Sequence, residues 1–192
     1  MPPVLAARRL ALRTTLAAVV GATLIGVALP ARAGLNVGDA APAFSVDAAM
    51  GGEPFRFDLA QALKKGPVVL YFYPKAFTQG CTLEANAFAE AMHEYEALGA
   101  SVIGVSGDDI DTLKKFSVSE CRGKFPVGAD KSGSVMKAYA ASMPQREDFA
   151  KRISYVITPE AKIAFAYESG GYDQHVPRTL EALKQWKAGA KP

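Results

Sequence analysis

Two stretches of the chain are apolar at nearly every position. Val68-Val-Leu-Tyr-Phe-Tyr73 and Ser101-Val-Ile-Gly-Val-Ser106 lack the alternation of a half-exposed strand, which is the pattern of strands covered on both faces. Between them Leu83, Ala87, Phe88, Ala91, Met92, Tyr95 and Leu98 recur at three- and four-residue steps. That spacing predicts a helix over residues 81–98 with one buried stripe, stopped by Gly99. Upstream, residues 44–46 and 55–57 read as short strands, and Asp58 caps a short helix through Leu63. Downstream, Gly107-Asp108-Asp109 turns into a helix carrying Ile110, Leu113 and Phe116 and reaching toward Cys121. Residues 125–127 read as extended. Asp130 or Ser132 caps a helix with Val135, Met136 and Tyr139, and residues 141–148 read as a loop. Apolar runs at 152–157 and 162–167 flank Thr158-Pro-Glu-Ala161, a hairpin pattern. Residues 174–188 form a last helix with Val176, Leu180, Leu183 and Trp186 inward. The order βαβα then ββα predicts one α/β domain with a central sheet.

The first 33 residues stand apart. They hold Arg8, Arg9, Arg13 and Arg32 and no acidic residue. An apolar run over 16–29 is followed by Pro30 and by Ala31-Arg32-Ala33, a small-residue cleavage pattern. Residues 1–33 are therefore expected to be a signal peptide cut after Ala33, leaving residues 34–192 as a single domain, periplasmic or otherwise exported. An uncleaved anchor is the competing reading, but the run falls short of the roughly 20 residues a membrane span needs. No stable membrane association is expected after cleavage. Without the leader the chain has 18 Lys and Arg against 19 Asp and Glu, so the formal charge moves from +3 to −1. The basicity belongs to the leader, and no nucleic-acid partner is expected. Lys184, Lys187 and Lys191 read as a solvated helix face.

Export changes how two cysteines are read. In an oxidising compartment a pair usually forms one disulfide, so count and compartment alone favour a static Cys81–Cys121 bridge in a non-catalytic exported domain. The surroundings of Cys81 argue otherwise. It follows a buried strand and opens a helix, and a helix N-terminus favours a thiolate over a thiol. Pro74 lies seven residues before it, Thr78 three before and Glu84 three after. A thiolate that attacks an O–O bond needs a hydroxyl to meet the peroxide, a wall without a competing N–H, and donors for the departing oxygen. Those residue types could supply them.

Pro74-x-x-x-Thr78-x-x-Cys81 is the motif of the peroxiredoxin superfamily, and the continuation Cys81-Thr82-Leu83-Glu84 resembles the bacterioferritin comigratory protein, or PrxQ, branch. The similarity extends through Val37-Gly-Asp-Ala-Ala-Pro42-Ala-Phe44, through Val102-Ile-Gly-Val-Ser106 with Asp108, and to Arg152 opening a hydrophobic strand. The resemblance implies a thioredoxin-like fold, a central mixed sheet flanked by helices. It implies a thiol-dependent peroxidase acting on hydrogen peroxide and organic hydroperoxides through a Cys81 sulfenic acid. Thr78 would contact the peroxide, Pro74 would shield the sulfur, Arg152 would activate thiolate and peroxide, and Glu84 would orient Arg152. The implied partners are a peroxide and a thioredoxin-like or other dithiol reductant, with the chain a monomer.

Many members of that branch carry a second cysteine five residues after the first, where this chain has Asn86. Another subgroup places it on the following helix, near the position of Ser117, one turn before Cys121. Cys121 is thus the expected resolving cysteine, closing an intramolecular disulfide. The alternative is a one-cysteine peroxidase with Cys121 a spectator. His93 and His175 lack metal-ligand spacing and read as structural or surface residues. No metal and no cofactor are expected, and Gly170-Gly171 reads as a turn.

Overall fold

The computed structural model describes Met1 and residues 34–189; the expected leader and its cleavage site lie outside them. The chain enters with β1 (Ser45–Met50) and β2 (Glu53–Asp58), then α1 (Leu59–Leu63), β3 (Val68–Phe72), α2 (Gln79–Ala97), β4 (Ser101–Ser106) and α3 (Ile110–Ser119). It continues through β5 (Val127–Ala129), α4 (Ser134–Ala138), β6 (Ser142–Met143), β7 (Arg146–Ala150), β8 (Ile153–Ile157), β9 (Ile163–Glu168) and α5 (His175–Lys187). Seven strands form one sheet in the order β2-β1-β5-β4-β3-β8-β9. β3, β4 and β5 run parallel, while β1–β2, β1–β5, β3–β8 and β8–β9 are antiparallel. This is the mixed sheet with flanking helices expected from the sequence.

The strand expected to be covered on both faces is so covered. Alternate residues of β3 point into separate apolar clusters. Val69 and Tyr71, with Tyr73 beyond the strand end, join Phe88 of α2, Phe116 of α3 and Leu183 of α5. Val68, Leu70 and Phe72 join Leu59 of α1, Met136 of α4 and Tyr155 of β8. Both cysteines belong to the first cluster.

Several expectations are corrected. Strand β1 runs to Met50, well past residue 46, because Ala48 and Ala49 are fully buried; small side chains carry the pattern weakly. Helix α2 begins at Gln79, two residues early. Phe88, Ala91, Met92 and Tyr95 are buried as expected, but Leu83 is exposed and Cys81, Glu84, Ala85 and Ala89 widen the buried stripe. A buried carboxylate with a partner takes the place an apolar residue was expected to hold. Residues 141–148 are not a loop. They contribute to the two-stranded ribbon β6–β7, whose charged outer strand hides its periodicity. Gly133, with a left-handed φ of 69°, sits at the N-cap of α4, and Asp130 reaches in from three residues earlier to accept from Met136 N at 2.7 Å.

Candidate active site

The site grows from the passage between β3 and α2. After Tyr73 and Pro74 the chain must turn sharply to start the helix. Phe77 adopts a left-handed φ of 63°, an uncommon conformation for a bulky residue, with its ring edge-on to Phe116 at 5.2 Å. Asp108, just beyond β4, braces the turn: its Oδ2 accepts from Ala76 N at 2.7 Å and from Ser106 Oγ at 2.9 Å. Thr78 takes the N-cap position in an extended conformation. Its hydroxyl donates backward to the Lys75 carbonyl at 2.9 Å, so the proton is committed while the oxygen lone pairs stay open at the surface. A cleft of about 200 Å³ opens beside Pro74, bordered by Asp108, Lys131 and Phe149.

Cys81 lies in the first turn of α2 and is 2% exposed. The unsatisfied amides of that turn direct partial positive charge at its sulfur. Arg152, the residue before β8, supplies a full charge. Its Nη2 stands 3.5 Å from Cys81 Sγ, its Nη1 donates to Glu84 Oε2, and its Nε donates to the Gly170 carbonyl at 3.2 Å. β3 and β8 are adjacent and antiparallel, pairing Phe72 with Ile153, so the start of β8 meets the end of β3 where α2 begins. Gly80 leaves room for the approach: a Cβ there would lie 3.1 Å from Arg152 Nη2, a tight contact that the guanidinium would have to ease.

Behind the guanidinium lies a buried polar network. Glu84 is fully buried; its Oε1 makes no hydrogen bond and lies 3.9 Å from His175 Nδ1. Burial pushes the Glu84 carboxyl up to about 8, against the pull of Arg152. With one oxygen unsolvated and unpaired, desolvation outweighs the single ion pair. His175 Nε2 donates to the Ser169 carbonyl at 3.3 Å, so Nδ1 is the acceptor, taking the Ser154 hydroxyl proton at 2.8 Å. Burial holds this imidazole neutral, lowering it to about 4, and Arg152 adds to the effect. His175 is therefore a buried member of the site's support, a role its isolated position in the sequence did not signal.

The structure joins Cys81 and Glu84 through Arg152 and sets Pro74 and Thr78 in the turn that leads into α2. Cys121 stands apart. It follows the C-cap of α3, is fully buried, and both cysteines are free. Burial raises the Cys121 thiol well above its ordinary value. Tyr71 and Tyr73 share the apolar cluster of the two cysteines, and burial is the chief cause that raises their hydroxyls. Asp108, Gly80 and His175 were missed as supporting residues. An acidic residue directly after a buried strand, and a glycine beside the cysteine in a helix's first turn, were the available signals. A larger cavity of about 520 Å³, bordered by Phe57, Gln61 and Ser101, lies at the opposite ends of β3 and β4 and contains none of these groups.

Residues 37–166 match the AhpC/TSA family. A chloroplastic peroxiredoxin Q of Oryza sativa subsp. japonica is 30% identical over 181 residues, covering 90% of this chain and 81% of the rice protein. One from Triticum aestivum is 33% identical over 122 residues, or 63% of this chain; the match spans only 56% of the wheat protein. Among solved structures, peroxidoxin BcpB from Mycobacterium tuberculosis superposes with a TM-score of 0.68 at 31% identity, covering 77% of this chain and 96% of that one. Peroxiredoxin Q from Xanthomonas campestris gives 0.65 at 25% identity, covering 74% and 91%. The fold is thus the thioredoxin-like one that these proteins share.

Proposed function

The chain belongs to the AhpC/TSA family of peroxiredoxins, and from that membership we propose that it reduces hydrogen peroxide and organic hydroperoxides with Cys81 as the attacking thiol. The observation that carries the reading is the Arg152 guanidinium 3.5 Å from Cys81 Sγ, held by Glu84 at the opening turn of α2. The guanidinium stands where it can face both the sulfur and an incoming peroxide. Cys81 sulfur attacks the terminal peroxide oxygen, an S–O bond forms and the O–O bond breaks. The sulfur is oxidised to sulfenic acid, and the departing oxygen takes a proton and leaves as water or alcohol. Arg152 balances the charge that moves onto that oxygen. The Thr78 oxygen, its own proton tied to Lys75, accepts the peroxide hydroxyl and turns the peroxide toward the sulfur.

Cys121 resets the enzyme. Its thiol condenses with the sulfenic acid, giving an intramolecular disulfide that a thioredoxin-like dithiol reduces. The complete burial of Cys121 favours a second reading, in which an external thiol resolves Cys81 directly. The resemblance supports a monomer, and the basic and apolar leader supports export to the periplasm.

The Cys81→Ser variant is expected to lose peroxide consumption; retained turnover would overturn the peroxidase reading. Cys121→Ser separates the two resetting routes. It should keep the rapid loss of the Cys81 thiol, stop at sulfenic acid or overoxidise, and lose thioredoxin-supported turnover. Full turnover in that variant would establish the one-cysteine route.

A further inference from the structure

Helix α3 ends at Ser119, and the chain then passes through Cys121 into two consecutive left-handed residues, Arg122 (φ 52°) and Gly123 (φ 64°). An arginine rarely adopts that backbone; Gly123 N donates to the Ser117 carbonyl at 2.8 Å and Cys121 N to the Phe116 carbonyl at 3.1 Å to close the turn, and a side chain on α2 fastens its flanks. Asn86 Oδ1 accepts from Arg122 Nε at 3.1 Å and from Nη2 at 2.7 Å, while Asn86 Nδ2 donates to Glu120 Oε2 at 3.3 Å and to the Thr82 carbonyl at 2.8 Å. Arg122 also pairs with Glu90 at 3.3 Å. The residues immediately before and after Cys121 are thus fastened to one side chain, five residues beyond Cys81. On the other flank Gly52 N donates to Ser117 Oγ at 2.9 Å.

These fastenings are polar, and Arg122 and Glu90 are exposed, so they can release with little core disruption. Cys121 itself is buried and held as a thiol. To form a disulfide its Cα must come within roughly 7 Å of that of Cys81 with the sulfurs aligned.

We propose that Asn86 is a positioning residue for the resetting step: by fastening Glu120 and Arg122 it keeps Cys121 in its buried turn, and its release sets how fast Cys121 reaches the Cys81 sulfenic acid. This rests on Cys121 being the resolving cysteine. In that step the S–O bond of the sulfenic acid breaks and an S–S bond forms. The Cys121 proton leaves with the hydroxyl as water, Cys121 sulfur is oxidised and Cys81 sulfur reduced. A second peroxide competes by carrying the sulfenic acid to sulfinic acid. The fastening therefore governs the division between disulfide and overoxidised enzyme.

The test mixes reduced full-length protein with hydrogen peroxide, quenches with a thiol-alkylating reagent at successive times and counts each sulfur state by mass spectrometry. Asn86→Ala and Arg122→Ala should each form the disulfide about three- to tenfold faster, the loss of a solvent-screened contact of about 0.7–1.4 kcal/mol, and accumulate less sulfinic acid. Their rates of Cys81 thiol loss should match the parent. The double variant should gain less than the product of the two single effects, because both remove the shared Arg122–Asn86 contact. An unchanged or slower disulfide step in Asn86→Ala, with the disulfide still forming, overturns the fastening and leaves Cys121 as resolver. If no variant and not the parent forms an intramolecular disulfide, both claims fall.

Discussion

A missing methyl group lets Arg152 reach Cys81. The Cβ of an alanine at position 80 would stand 3.1 Å from Arg152 Nη2, closer than ordinary contact, and the guanidinium cannot swing away freely because Glu84 and the Gly170 carbonyl hold its other nitrogens. Alanine is the better helix former by about 1 kcal/mol, which offsets part of the cost of displacing the held guanidinium, so Gly80→Ala should change stability little. Peroxide-driven loss of the Cys81 thiol should slow by about tenfold or more, since a charge-assisted contact is worth roughly 1.5–3 kcal/mol. Stopped-flow rates of thiol loss beside melting curves would check this; an unchanged rate would mean the Arg152 contact does not matter to the attack. At this scale the sequence was legible where chemistry follows spacing. Pro74, Thr78, Cys81 and Glu84 fall within one local pattern, and Arg152 opens a recognisable strand. Gly80 was not legible, because its importance lies wholly in a side chain 72 positions away.

The turn between β3 and α2 depends on an element other than the two it joins. Asp108, beyond the end of β4, holds Ala76 N and the Ser106 hydroxyl, and the turn contains a left-handed Phe77. Releasing a strained conformation from its main anchor should loosen it. Asp108→Ala is expected to cost about 1–3 kcal/mol for the unsatisfied amide. It should also speed hydrogen exchange over residues 75–78 while leaving amides in the middle of β3 protected, and raise the KM for peroxide through the displaced Thr78. Equal protection of Ala76 in variant and parent would refute the bracing role. The elements themselves were largely readable. β3 and β4 announce themselves as unbroken apolar runs, and Asp58 does cap α1, accepting from Gln61 N. What failed was whatever a neighbour decides. The stripe of α2 widens to bury Glu84, which Arg152 partners, and the β6–β7 ribbon has an exposed charged strand with no periodicity to read.

For the molecule as a whole, the pair behind Arg152 makes acid stability a balance between two buried groups of opposite sign. The folded state holds His175 at about 4, below its usual 6.5. From pH 6.5 down to 4 the unfolded chain therefore binds the extra proton, and stability falls as pH falls. The folded state holds Glu84 at about 8, above its usual 4.5. From pH 4.5 up to 8 the folded chain keeps the extra proton, and stability falls as pH rises. Between pH 4.5 and 6.5 the two slopes oppose and largely cancel. Above 6.5 only Glu84 still acts, so stability should decline toward pH 8 by about 2 kcal/mol, at 1.36 kcal/mol per unit. The carboxylates of half-buried Asp58 and of exposed Asp109, Glu147, Glu160 and Asp173 are all held low, so their losses come below this window. Urea unfolding at steps from pH 4 to 8 separates the partners. Glu84→Gln removes the falling limb and leaves stability rising from pH 4 to 6.5 on His175 alone, then level to pH 8. His175→Gln removes the rising limb, so stability should fall steadily from pH 4.5 to 8. If Glu84→Gln left the parent's pH profile intact, Glu84 would have to be ionised throughout that range, and its Oε1 would need a partner beyond His175.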